Sequence, residues 1–258
     1  MREIENRPIG VFDSGVGGIS VLKELVAQMP HENFIFYGDS KHAPYGTKTL
    51  VEVQQLTCAD AEYLMGQNVK ALVVACNTAT SAAIKILRSK YQNTPVIGIE
   101  PALKPAVMAG KHPRVLVMAT PMTLREEKFR LLMREHENEA EIISLPCPGL
   151  VEFVERGELE SYGLERFLTE LFAEYMEHPV DNVVLGCTHY PFVKKMIQKV
   201  LGSNVQIFDG GEGTAKETRR RLREAGLLNP SAKKGQVVIQ NSLDSEEILC
   251  LSRQLLDS

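Results

Sequence analysis

With 258 residues, 44% hydrophobic and 24% charged, the chain is long enough for one large or two modest α/β domains with genuine cores. A net charge of −4 without a basic run argues against a nucleic-acid partner, and the cluster Arg219, Arg220, Arg221 and Arg223 reads as the solvated face of a late helix. No stretch reaches the length of a membrane span, and the opening MREIENRPIG has no apolar signal core, so neither membrane nor export is expected.

In chain order, strands are predicted at 8–13 (PIGVFD), 34–38, 71–76 (ALVVAC), 96–99, 114–119, 141–146, 182–187 (NVVLGC), 205–209 and 236–240. Helical periodicity covers 17–29, 49–66, 79–91, 121–136, 161–177, 191–201 and 212–225, with a last helix from about 244. This alternation implies βα units and largely parallel sheets flanked by helices. Strands that are continuously apolar fit sheets covered on both faces. VVACNTAT at 73–80 echoes VVLGCTHY at 183–190, and FDSGVGG at 12–18 echoes FDGGEGT at 208–214, which favours a duplicated two-domain plan.

Ligands of parallel sheets gather at the carboxyl ends of strands, where helix starts offer free N–H groups. Asp13-Ser14-Gly15, Tyr45-Gly46, Cys76-Asn77-Thr78 and Cys187-Thr188-His189 all fall at such ends. DSGVGGIS departs from the dinucleotide fingerprint at Ser20 and lacks the P-loop lysine, which leaves a tight strand–helix turn and a ligand loop both open. Asp13 could anchor an ammonium or orient an acid–base group.

Five cysteines occur without any C-x-x-C spacing, so a zinc ribbon and a thioredoxin-like motif are unsupported, and free thiols suit a reducing cytoplasm. Cys58 and Cys250 lie inside helical segments and read as packing. Cys147, between Pro146 and Pro148, also reads as packing, with a place at the site left open. Cys76 and Cys187 each precede a predicted helix, whose dipole would lower the thiol pKa. His189, two residues after Cys187, could modulate that thiol. Glu152, in GLVEFVERG, reads from the residues alone as one more charge on an amphipathic turn.

As a set, FDSGVGG (12–18), APYG (43–46), ACNTAT (75–80) and GCTHYP (186–191) strongly resemble the glutamate racemases, over essentially the whole chain. The related aspartate racemases, the alternative reading, typically carry Cys-Thr-Glu at the second cysteine, where this chain has Cys187-Thr188-His189. The resemblance implies two similar α/β domains, 1–97 with 208–258 and 98–207, and an active site in the cleft between them. It implies that Cys76 deprotonates D-glutamate and Cys187 deprotonates L-glutamate. Asp13 would assist the first thiol, His189 the second, and Glu152 would be a further assisting carboxylate. Ser14, Tyr45, Gly46, Asn77, Thr78, Thr188 and His189 would bind substrate together with Asp13. Neither metal nor pyridoxal phosphate is implied; a homodimer in a bacterial cytoplasm, supplying D-glutamate for peptidoglycan, is. Some members carry an N-terminal extension linked to activation by a cell-wall precursor. Only about seven residues precede the first strand here, so no such dependence is expected. A two-lobed periplasmic-type binding protein is the rival from another class; the paired strand-end cysteines argue against it.

Overall fold

The computed structural model describes residues 2–258. After a short α1 (Arg2–Glu5), the first sheet is built from β1 (Ile9–Asp13), β2 (Phe34–Gly38), β3 (Ala71–Val74), β4 (Val96–Gly98) and β9 (Val237–Asn241). The second contains β5 (Arg114–Ala119), β6 (Glu141–Pro146), β7 (Asn182–Leu185) and β8 (Gln206–Asp209). Every strand pairing is parallel. β1, β3 and β7 are buried at every position, as expected of strands with helices over both faces.

The strand orders are β4-β3-β1-β2-β9 and β6-β5-β7-β8. Numbered within its own half, each sheet contains the order 2-1-3-4, with a topological switch between its first and third strands. β3 and β7 are therefore equivalent strands of two like sheets, which gives the echo between their sequences a structural meaning. The echo between 12–18 and 208–214 has none of this kind, because β1 is the first strand of its sheet and β8 the last. The expected boundary at 207/208 falls inside β8, all four residues of which pair with β7 in the second sheet. Beyond β8 the chain returns to the first sheet: α12 (Gly211–Glu224) and α13 (Glu246–Asp257) both pack on α2 (Ile19–Gln28), and β9 extends the sheet beside β2.

Of the other helices, α3 (Leu50–Gly66) starts at a reciprocal capping box between Thr49 and Glu52, and α4 (Asn77–Lys90) follows β3 directly. α5 (Leu103–Met108) was not anticipated. The helix expected over 121–136 is broken into α6 (Pro121–Arg125) and α7 (Glu127–Arg134), because Glu126 between them is extended, with ψ 136°. α8 (Leu150–Glu155), also unanticipated, follows Gly149, whose φ of 92° only glycine adopts easily. The helix expected over 161–177 is likewise divided, into α9 (Tyr162–Leu171) and α10 (Ala173–Glu177) around the buried Phe172. Past Cys187 a 3-10 turn, Tyr190–Val193, precedes α11 (Lys194–Leu201).

Candidate active site

Cys76 follows β3 as the N-cap of α4, and its sulfur accepts the Ala79 N–H at 3.4 Å. The Ser14 hydroxyl lies 3.5 Å from the same sulfur. Asp13 ends the neighbouring β1, fully buried; its carboxylate accepts the Gly15 N–H at 3.1 Å and the Thr188 hydroxyl at 3.0 Å. That second bond already joins the two halves. Cys187 follows β7, the strand equivalent to β3, and its sulfur lies 3.7 Å from His189 Nδ1.

The other face of the His189 ring meets a carboxylate at 2.6 Å, and that carboxylate belongs to Glu155, not to Glu152. Glu155 Oε1 also accepts the Val16 N–H at 2.7 Å, while Oε2 accepts the Ser40 hydroxyl at 3.0 Å. The Asn241 amide in turn donates to Ser40 at 2.9 Å. Glu155, at the end of α8, is thus gripped by the β1–α2 turn and by Ser40, which follows β2 and is itself held by Asn241 at the end of β9. Glu152 occupies the first turn of the same helix; its Oε2 is buried without a hydrogen-bond partner and makes none of these contacts.

The glycine-rich turn now has a physical explanation. A Cβ on Gly15 would lie 1.9 Å from Glu155 Oε1, and one on Gly17 would lie 2.2 Å from His189 Nδ1. The turn is bare so that groups of the second half can rest on it. Further bonds close the cleft. Ser20 donates to the Thr188 carbonyl at 2.9 Å, and the hydroxyls of Thr78, Thr120 and Thr123 form a triangle with sides of 3.0, 3.0 and 2.9 Å. Gly46 abuts Thr120, with no room for a side chain. Neither Thr120 nor Thr123 was singled out from sequence, although Thr120 stands at the end of β5 before a helix-starting Pro121, where an N-cap is readable.

Asp13, Ser14, Asn77, Thr78, Cys76, Cys187, Thr188 and His189 are all buried around this closed cleft. Tyr45 is buried too, but its hydroxyl is engaged by Asp39 and Asp60, and it is Gly46 beside it that meets Thr120. Cys147 is buried behind Cys187, with its thiol on the Leu145 carbonyl at 3.3 Å. Cys58 is part-buried and Cys250 exposed. A cavity of about 860 Å³ touches neither cysteine; its walls include Arg88, Glu100, Asp209 and Lys216.

Burial dominates the electrostatics. It pushes the Cys76 thiol up to about 12, helped by the Asp13 charge and only partly opposed by the Ala79 N–H and Ser14. The lowering expected from the helix start is therefore outweighed by burial in the closed cleft. Cys187, for its part, precedes a 3-10 turn rather than an α-helix, which weakens the dipole expected there. Burial also raises Asp13, with the His189 charge and the Thr188 bond pulling the other way. For His189 burial disfavours the cation, but the Cys187 and Glu155 contacts overcome it and hold its pKa well above the ordinary value. Burial likewise disfavours the Glu155 anion, and the His189 bond and charge reverse that, so its pKa is lowered. His189 and Glu155 form a buried cation–carboxylate pair.

A model of the Asp/Glu/Hydantoin racemase family matches residues 9–218. The chain belongs to that family. Within it, the chain is 54% identical over 254 residues to a glutamate racemase of Clostridium botulinum, covering 98% of both proteins. Among solved structures of the family, a glutamate racemase isoform of Bacillus anthracis superposes with a TM-score of 0.88 at 30% identity, over 98% of this chain and 95% of that one. A glutamate racemase of Francisella tularensis, solved in complex with D-glutamate, superposes with a TM-score of 0.84 at 30% identity and the same coverage. Cys76 and Cys187 follow equivalent strands of the two sheets.

Proposed function

We propose that this racemase interconverts L- and D-glutamate by proton transfer at the α-carbon between two thiols, without metal or pyridoxal phosphate. The observation that carries the reading is the pair Cys76 and Cys187, each at the end of the third strand of its sheet and each with its own acid–base neighbour. The relatedness to glutamate racemases at full length supports glutamate over aspartate.

From L-glutamate, Cys187 as thiolate takes the α-proton while Cys76 as thiol delivers its own to the opposite face. The enzyme is left with a Cys187 thiol and a Cys76 thiolate, ready for the reverse run. A raised Cys76 pKa suits its role as the proton donor in this direction, and the His189 cation supplies the positive charge that a thiolate on Cys187 would face. Glu155, rather than Glu152, keeps that cation in place. Asp13 assists Cys76. Entry of the substrate ammonium would offset the carboxylate charge of Asp13, and Asn77 Oδ1, buried and without a partner, is an acceptor suited to it. Ser14 and Thr188 line the α-carbon side. Thr78, Thr120 and Thr123, with the Tyr45-Gly46 turn, suit the side-chain carboxylate, which accounts for three hydroxyls gathered at one point. Carbanionic charge would be met by these fixed donors in a cleft from which water is excluded.

The role this activity serves is supply of D-glutamate for peptidoglycan in a bacterial cytoplasm, with a homodimer as the expected assembly. Among the described residues, no helix is long and apolar enough to cross a membrane. Single enantiomers of glutamate and of aspartate, incubated with protein dialysed against a chelator and analysed by chiral chromatography, test the reading. Racemised glutamate and untouched aspartate are expected; turnover of aspartate alone, or dependence on restored metal or pyridoxal phosphate, would overturn it.

A further inference from the structure

Tyr45 sits over two carboxylates. Its hydroxyl lies 2.7 Å from Asp39 Oδ2 and 2.8 Å from Asp60 Oδ2, and all three side chains are buried. A phenol has one proton, so it can donate to one of them only. Were both carboxylates ionised, the second contact would set a phenol lone pair against an anion among buried side chains. Asp39 has a second donor, His42, whose Nδ1 is 2.9 Å from each of its oxygens. Asp60 has no hydrogen-bond partner but Tyr45 among the described residues. With His42 donating from Nδ1, the donors fall into one order: His42 and the Tyr45 hydroxyl donate to Asp39, and a neutral Asp60 donates its carboxyl proton to the Tyr45 oxygen.

We infer that Asp60 is a positioning residue whose carboxyl proton, through Tyr45, fixes the Tyr45–Thr47 turn and so holds Gly46 against Thr120. The inference rests on the glutamate reading above, in which that turn and the threonine hydroxyls receive the side-chain carboxylate. Asp60 does not touch substrate; it acts from α3, across the Tyr45 ring. The groups that face it are Asp39 and Tyr45 at contact, Asp13 farther off at the end of β1, and Tyr37 on β2, with the half-exposed His42 beyond Asp39. Burial, then the Asp39 charge, push the Asp60 carboxyl up to about 8, and the Asp13 charge adds to the rise. The proton is accordingly held at neutral pH and lost as pH rises through about 8. Above that point two anions share one phenol proton, the turn loosens, and glutamate binds less well.

The test is the pH dependence of KM and kcat for the parent, D60N and D60L, together with an infrared difference spectrum of the parent. The parent is expected to show KM rising on the alkaline side of pH 8 with kcat following a separate profile. D60N carries an amide that donates at any pH, so its KM should stay near the parent's neutral value and lose the alkaline rise. D60L has no donor, and its KM should be raised about tenfold at every pH, the loss of roughly one hydrogen bond. A protonated-carboxyl stretch should be present at neutral pH, disappear through the same alkaline range, and be missing in D60N. An alkaline KM rise in D60N equal to the parent's, or a neutral-pH spectrum without that band, would overturn the assignment. A parent that turned over no glutamate would instead defeat the glutamate reading, while the infrared band would still report the proton on Asp60.

Discussion

Replacing Glu155 by glutamine keeps the side chain's shape and removes the charge that holds His189 as a cation. In the parent, Oε1 lies 2.6 Å from His189 Nε2 and 2.7 Å from the Val16 N–H, and Oε2 lies 3.0 Å from Ser40. A hydrogen bond to a charged group contributes about 1.5–3 kcal/mol, so its loss should lower kcat/KM about 10- to 150-fold. The same change at Glu152, three residues earlier on α8, should leave activity within about threefold. Stability carries a second signature. The Glu155 pKa is lowered by folding, so its contribution is present above the unfolded value of 4.5 and lost as pH falls through the folded one. The His189 pKa is raised, so its contribution is present below 6.5 and lost as pH rises through the folded value. The difference in Tm between parent and Glu155→Gln should therefore be largest between 4.5 and 6.5. Steady-state kinetics and thermal melts of both variants across pH check this. Equal damage from Glu152→Gln and Glu155→Gln, or a Tm difference that is flat with pH, would refute the reasoning.

Cys76→Ala and Cys187→Ala should each abolish racemisation, at least roughly 3–5 kcal/mol of transition-state stabilisation, in a chiral assay run from either enantiomer. Cys58→Ala and Cys250→Ala should keep turnover, with at most a fall in Tm from the part-buried Cys58. Gly17→Ala would force a methyl to within 2.2 Å of His189 Nδ1, so kcat/KM should drop on the order of 100-fold while circular dichroism stays that of a folded protein. Asp13→Asn and His189→Asn should lower kcat unequally in the two directions, since each assists a different thiol. Because the enantiomers are equal in free energy in water, KM must shift with kcat to keep kcat/KM the same both ways.

The strands were the most legible part of the sequence. Arg114–Ala119 matches its expected limits, because a continuous apolar run is what a doubly covered parallel sheet requires. Short helices were not legible. α5 and α8 have six residues each, fewer than two turns, so no 3.6-residue period can declare itself. That gap hid one contact at the site: without the register of α8, nothing in GLVEFVERG marks Glu155 as the partner of His189. Strand-end cysteines, Asp13 and His189 could be read because their positions follow from βα topology. Ser40, Thr120 and Thr123 could not, since they matter only once the two halves close on each other. The lowered thiol pKa expected for Cys76 failed for the same reason; a helix start is visible in sequence, whereas burial at a cleft between domains is not.

Racemisation of L-glutamate in deuterated water, stopped within the first few per cent of conversion and analysed by mass spectrometry after chiral separation, tests the two-thiol reading most directly. With Cys187 taking the α-proton and Cys76 delivering another to the opposite face, the D-glutamate formed should carry deuterium at the α-carbon from the first turnovers. The remaining L-glutamate should stay largely protiated, because the thiol that holds its proton faces a closed cleft. Early D-glutamate that retained mostly protium would mean one group serving both faces, and would contradict the assignment of Cys76 and Cys187 to opposite sides.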